Sequence, residues 1–137
     1  MSRFYTNVSV RGDNILYRGY ENGKRVEGRI DYHPTLFIST NKSSEFHTMD
    51  GRSAEPFQPG TMSDCRDFIL RHESVTGFDI YGNTDYIYQF IGDKFPKEVE
   101  YDQSVLKVAY IDIETTADNG FPQVANPNER VITITLI

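Results

Sequence analysis

Ile15-Leu16-Tyr17-Arg18-Gly19-Tyr20, then Glu21-Asn22-Gly23-Lys24, then Val26 to Tyr32 is the stretch that decides the fold. Two aromatic and β-branched runs flank an Asn-Gly pair. That pair readily takes the left-handed backbone of a tight hairpin turn, so the second run returns antiparallel to the first. Working outward, Phe4 to Val10 has the same character, with Tyr5, Val8 and Val10 among its apolar positions, and Gly12-Asp13-Asn14 joins it to Ile15 as a turn. Downstream, His33-Pro34 interrupts the ladder because proline has no donor. Thr35-Leu36-Phe37-Ile38 then reads as one more short buried strand.

Residues 39 to 60 are polar, with Gly51, Pro56, Pro59 and Gly60, and read as a long connection with one short strand near Phe46. A helix starts near Thr61 or Ser63, either of which can cap it, and Asp64 suits the positive end of its dipole. Met62, Cys65, Phe68, Ile69 and His72 recur at helical spacing, so one face is buried, and Gly77 stands where a stop is expected. Phe78, Tyr81, Tyr86, Tyr88 and Phe90 make an aromatic stretch that fits a strand or a short helix, and periodicity does not choose between them. Lys94 to Gln103 is a charged connector. Val105 to Glu114 is the strongest strand pattern in the chain, a polar loop covers Thr115 to Asn128, and Val131 to Ile137 alternates as a last strand. The class is α+β, strand-rich with one main helix. Because the sequence stops within an apolar strand, the expectation is a truncated piece of a larger protein, with a boundary between modules in residues 94–104.

Composition narrows the function. The chain has 137 residues, a formal net charge of −6 and 38% hydrophobic residues, including nine Tyr and nine Phe, enough for a core. Free-standing nucleic-acid binders usually carry a basic surplus, so the acidic balance counts against one. The single cysteine, Cys65, excludes an internal disulfide and a cysteine zinc site and fits a reducing compartment. No apolar run approaches the ~20 residues of a membrane span, and the start has no apolar secretion segment.

The chemical signal is Asp112-Ile113-Glu114-Thr115-Thr116 at the end of Leu106-Lys107-Val108-Ala109-Tyr110-Ile111. Residues two apart on a strand share a face, so both carboxylates stand together, roughly 7 Å apart along the backbone. Leu106, Val108 and Tyr110 would continue that face. Two carboxylates on one strand suit hard divalent cations such as magnesium or manganese, and a two-metal site stabilises the attacking and leaving oxygens of a phosphodiester. The plain alternative is two solvated acids at a strand end.

Asp112-Ile113-Glu114-Thr115-Thr116, with Gly120-Phe121-Pro122 and Val131-Ile132-Thr133-Ile134-Thr135, resembles the first motif of the proofreading 3′→5′ exonuclease in family B DNA polymerases. Arg3-Phe4-Tyr5, the Asn22-Gly23 hairpin, Asp31-Tyr32-His33-Pro34-Thr35-Leu36-Phe37, Gly51-Arg52-Ser53-Ala54-Glu55-Pro56 and Met62-Ser63-Asp64-Cys65-Arg66-Asp67-Phe68 resemble the N-terminal domain of that family, nearest to the replicative polymerases of T-even-like tailed bacteriophages. The resemblance covers essentially the whole chain. It implies a polymerase N-terminal domain over 1–103, a mixed sheet with helices packed on it, and over 104–137 the first β-hairpin of a ribonuclease-H-like exonuclease domain.

The same resemblance implies that Asp112 and Glu114 are catalytic ligands of two Mg2+ or Mn2+ ions, a site left incomplete here. Phe121 would lie near the frayed primer end, where a ring can stack on a base. The implied partners are a DNA primer-template and the remainder of the polymerase, in the cytoplasm of an infected bacterium, with no membrane. The further carboxylates the family uses lie in later motifs, so the chain alone is expected to be inactive, and its open strand edge is expected to favour self-association.

Other residues read more plainly. His33 suits a turn or the core edge, His47 and His72 have no partner at ligand spacing, and Cys65 is a small apolar residue on the helix face. Asp118 and Glu129 are candidates to supplement the acidic pair or are simply solvated. Arg25, Arg29, Lys42 and Arg52 offer a basic patch or a solvated surface. Two rival functions stay open: a non-catalytic module that binds single-stranded nucleic acid on its aromatic sheet, and a small metal-dependent nuclease completed by oligomerisation.

Overall fold

Asn22 and Gly23 take φ of 52° and 76°, the left-handed pair of a two-residue hairpin. They join β2 (Asn14–Glu21) to β3 (Lys24–Asp31), and Gly12 at φ 62° turns β1 (Arg3–Arg11) into β2. In this computed structural model, which describes residues 2–118 and 120–137, the three strands form an antiparallel sheet in the order β1-β2-β3. A bulge between Tyr5 and Asn7 shifts the β1 register. The chain divides into two compact units, Met1–Asp102 and Gln103–Ile137.

The rest of the first unit forms a second antiparallel sheet in the order β5-β6-β4-β7. Its strands are β4 (Leu36–Ser39), β5 (Phe46–His47), β6 (Ser53–Phe57) and β7 (Ile80–Tyr81). The expected single mixed sheet is therefore two antiparallel sheets. The short strand near Phe46 is present, but the connection over 39–60 also holds β6. Its Pro56 lies opposite Phe37, beyond Ser53 and Ala54, the residues that pair with β5, so the missing donor disrupts no pairing on that side.

Helix α1 (Met62–His72) begins at a capping box: the Thr61 hydroxyl accepts from the Asp64 N–H at 3.2 Å, and the Asp64 carboxylate accepts from the Thr61 N–H at 2.8 Å. Asp13, in the first hairpin turn, accepts from the Ser63 N–H at 2.8 Å and the Ser63 hydroxyl at 2.7 Å, which ties the helix to the sheet. Helix α2 (Tyr86–Lys94), capped by Asp85, corrects the expectation of one main helix and resolves the open reading of the aromatic stretch. Tyr86 and Phe90, four residues apart, put two rings on one helix face, and both are buried.

The core joins Ile15 and Tyr17 of β2, Leu36 of β4, Met62 and Cys65 of α1, and Tyr86 and Phe90 of α2. Burying each of the larger aliphatic side chains contributes about 1.5–3 kcal/mol. Phe68 continues the α1 face, its ring packed at a tilt against Phe57 and His72, so His72 is a packing residue. His33 lies 3.5 Å from the Asp31 carboxylate at the sheet edge. Among the described residues, no helix is long and apolar enough to cross a membrane.

Candidate metal-binding hairpin

The second unit is built on one hairpin. β8 (Ile111–Thr115) pairs antiparallel with β9 (Val131–Leu136). The expected strand over 105–114 is shortened, because the ladder ends where Tyr110 and Ile137 exchange backbone hydrogen bonds at 2.9 and 3.0 Å. Among the described residues, no strand pairs with the segment upstream of Tyr110, and Gln103–Val105 form a short 3-10 turn. Leu106, Val108 and Tyr110 are exposed and do not extend the carboxylate face as a strand.

Register places the two acids. Asp112 stands opposite Thr135 and Glu114 opposite Thr133, while Ile111 meets Leu136 and Ile113 meets Ile134. Alternation therefore sorts the hairpin into a polar face of two carboxylates and two hydroxyls and an apolar face of isoleucines and Leu136. Both faces are open; Ile113 is 55% exposed and Leu136 68%. A bulge between Glu114 and Thr115 puts Thr115 opposite Val131, leaving Ile132 as the extra residue.

The loop after β8 is pinned by Glu129. Its carboxylate accepts from the Thr116 hydroxyl and from the Asp118 N–H at 3.1 Å. Thr116 closes the loop from the other side: its N–H donates to the Arg130 carbonyl at 2.9 Å, and its hydroxyl accepts from the Arg130 N–H at 3.1 Å. Glu129 thus helps to hold the loop in place. The sequence signal for that role is slight, a Thr and a Glu flanking two strand ends. Phe121 projects from the loop with 93% of its surface exposed, beside a shallow recess of about 170 Å³ that Asn126 and Glu129 also line.

The two carboxylates offer hard oxygen donors on one face and fit a divalent cation as part of a ligand set. Among the described residues, no group of three or more His, Cys, Asp or Glu is arranged to hold a metal. The cations considered as a patch separate. Arg52 is engaged with Asp50 at 2.8 Å, Asp79 at 2.7 Å and the Tyr81 hydroxyl at 2.7 Å. Lys42 lies on a loop after β4, and Arg25 and Arg29 lie on β3.

No family model matches the chain. It is 32% identical over 136 residues to the DNA-directed DNA polymerase of Enterobacteria phage T4 and 28% identical over 138 residues to that of Escherichia phage RB69. Each alignment covers 98% of the chain and 15% of the relative, so the chain spans about 15% of the length of the curated relatives it matches.

Proposed function

From a chain related along nearly its whole length to phage DNA-directed DNA polymerases, we propose a role as the N-terminal portion of a replicative family B polymerase with a 3′→5′ proofreading exonuclease. The first unit serves as the polymerase N-terminal domain. The second opens a ribonuclease-H-like exonuclease domain, and Asp112 and Glu114 are its first metal ligands. The observation that carries this reading is the placement of both acids on one polar hairpin face, backed by an apolar one.

Magnesium or manganese, when bound, supplies charge neutralisation to the phosphodiester and an activated oxygen for hydrolysis. The chain contributes the rest of the argument. Asp112 and Glu114 hold cations from one rigid strand, Thr133 and Thr135 keep the facing positions small and polar, and Phe121 offers a ring to a terminal base. Further carboxylates must come from the remainder of the polymerase, which with a DNA primer-template is the implied partner. Two ligands from one strand make the isolated chain a weak cation binder and an inactive nuclease.

The test is manganese titration of the chain, read by calorimetry and by paramagnetic broadening of the β8 amide signals. The expected result is weak binding centred on residues 112–114 and lost in Asp112→Ala. Submicromolar binding that survives Asp112→Ala overturns the assignment. A labelled oligonucleotide with manganese should stay essentially intact. Robust 3′-end digestion that disappears in Asp112→Ala instead favours the self-contained nuclease.

A further inference from the structure

The outer face of the β1–β3 sheet carries a row of guanidinium groups. Alternation along β2 turns Ile15 and Tyr17 into the core and leaves Leu16, Arg18 and Tyr20 on the opposite face. The register places Arg29 opposite Leu16, Glu27 opposite Arg18 and Arg25 opposite Tyr20, so all six share that face. Glu27 is shared between two arginines at long range, 3.7 Å from Arg18 and 3.5 Å from Arg25. Among the described residues, Arg29 has no ion-pair partner within 4.0 Å. By the same register Arg11 and Asp31, both level with Asn14, also stand on this face, so four arginines against two acids leave it locally positive on a chain whose net charge is −6.

The row has a direction and a floor. Arg25 and Arg29 are four residues apart on β3, about 13 Å by strand rise, and Arg18 stands level with the midpoint on the next strand. One phosphate cannot span that row. A repeating polyanion can, with roughly one anionic group per step of two residues. Leu16, the backbone of Gly28 and Glu27 line a groove of about 430 Å³ between Arg18 and Arg29, with Arg25 beyond its end on the same face, and Asn7 and Ser9 of β1 add hydrogen-bonding groups along its side. All three cations are arginines, whose planar forks match phosphate oxygens two at a time. The recess is open and shallow, so it suits a flexible chain better than the rigid cylinder of a duplex.

We propose that this groove docks the sugar-phosphate backbone of a single-stranded nucleic acid, gripped by Arg18, Arg25 and Arg29. The strand lies along β3, its phosphates meet the guanidinium row, and Leu16 and Tyr20 present apolar surface to its bases. The site uses no residue of the β8–β9 hairpin and stands apart from the reading of Asp112 and Glu114.

The test is fluorescence anisotropy of a labelled twelve-nucleotide oligo(dT) with the full chain over a salt series, without divalent metal. Neutralising three phosphates predicts a slope of log K against log salt of about −2. Replacing all three arginines by Gln should weaken binding more than tenfold and flatten that slope. Arg29→Gln alone, which breaks no ion pair, should weaken binding several-fold with an unchanged circular dichroism spectrum. Replacing Lys42, Lys97 and Lys107 by Gln removes the same charge elsewhere and should cost less than twofold. The proposal is overturned by no binding at 100 µM chain in low salt, or by equal affinity of the arginine and lysine variants. Tighter binding to a duplex of the same length, or equal displacement by poly-glutamate, overturns the single-strand assignment. Manganese binding at residues 112–114 is read independently, so either reading can fail alone.

Discussion

The carboxamide of Gln89 pairs with both backbone groups of Thr35: its Oε1 accepts from the Thr35 N–H at 2.7 Å, and its Nε2 donates to the Thr35 carbonyl at 2.8 Å. A side chain of α2 thereby replaces a strand partner just after His33-Pro34 breaks the ladder. The Tyr32 hydroxyl joins the arrangement, donating toward Gln89 Oε1 at 3.0 Å and Asp93 Oδ2 at 2.6 Å. The link from the first sheet to the second is therefore held by α2 as much as by the chain itself.

Gln89→Ala should destabilise the first unit by about 2 kcal/mol, because it leaves two part-buried backbone groups of Thr35 without partners. Gln89→Glu should recover little, since a carboxylate can accept from the N–H but repels the carbonyl. Urea unfolding of the three proteins checks this. Equal midpoints for wild type and Gln89→Ala would mean that water replaces the carboxamide freely.

Gly19 has no room for a side chain. A Cβ there would lie 2.3 Å from the Phe4 carbonyl oxygen and 2.6 Å from the Tyr17 hydroxyl. The first obstacle is backbone of the neighbouring strand, which cannot swing away without breaking the pairing of Tyr5 with Gly19. Gly19→Val should therefore cost more than about 2 kcal/mol, as overpacked sites do, and Gly28→Val, with nothing within 4 Å of its Cβ, much less. Thermal unfolding of the pair measures the contrast.

Asp64 gives the fold an acid-sensitive joint. The Thr61 N–H and hydroxyl that donate to its carboxylate hold it below the usual carboxylate range. A lowered folded-state value means the acid favours folding above the ordinary aspartate pKa and loses that contribution as pH falls through the folded value. Asp64→Ala should thus lower Tm at pH 7, and its deficit against wild type should shrink steadily below about pH 4. Melting curves from pH 2 to 7 decide it; a deficit that stays constant with pH would place the effect in helix propensity instead.

The features legible in the sequence are the local ones. Asn22-Gly23 specifies its turn through the backbone of two adjacent residues, and Thr61 with Asp64 writes a helix start within four. Asp112 and Glu114 share a face because alternation is a property of one strand. Gln89, Asp13 and Glu129 act across 54, 50 and 11 residues or more, and no pattern marks them. β6 hides behind Pro56, which looks like a breaker until its pairing side is known. The start of β8 at Ile111 depends on how far β9 reaches, which Val105 to Tyr110 cannot reveal. Arg18 is missed for the same reason: only the register brings it level with Arg25 and Arg29.

The β8–β9 hairpin should make the chain self-associate. Ile111, Ile113, Ile134 and Leu136 share its apolar face and are each at least 55% exposed, more than a scatter of single surface residues. Among the described residues, neither outer edge of this two-stranded ladder has a strand partner, and such edges recruit further strands. The polar face offers no comparable drive, because its two carboxylates repel a second copy of themselves. Association should therefore strengthen with salt rather than weaken, opposite to a charge-driven contact. Replacing Ile111, Ile113, Ile134 and Leu136 by Ser removes the apolar face while keeping the ladder's backbone bonds. Light scattering at high concentration should show larger species for the wild type and a monomer for the serine variant, with Asp112→Ala associating at least as strongly as wild type. A wild-type chain that stays monomeric at high salt would mean that residues 103–137 keep their apolar face covered in solution.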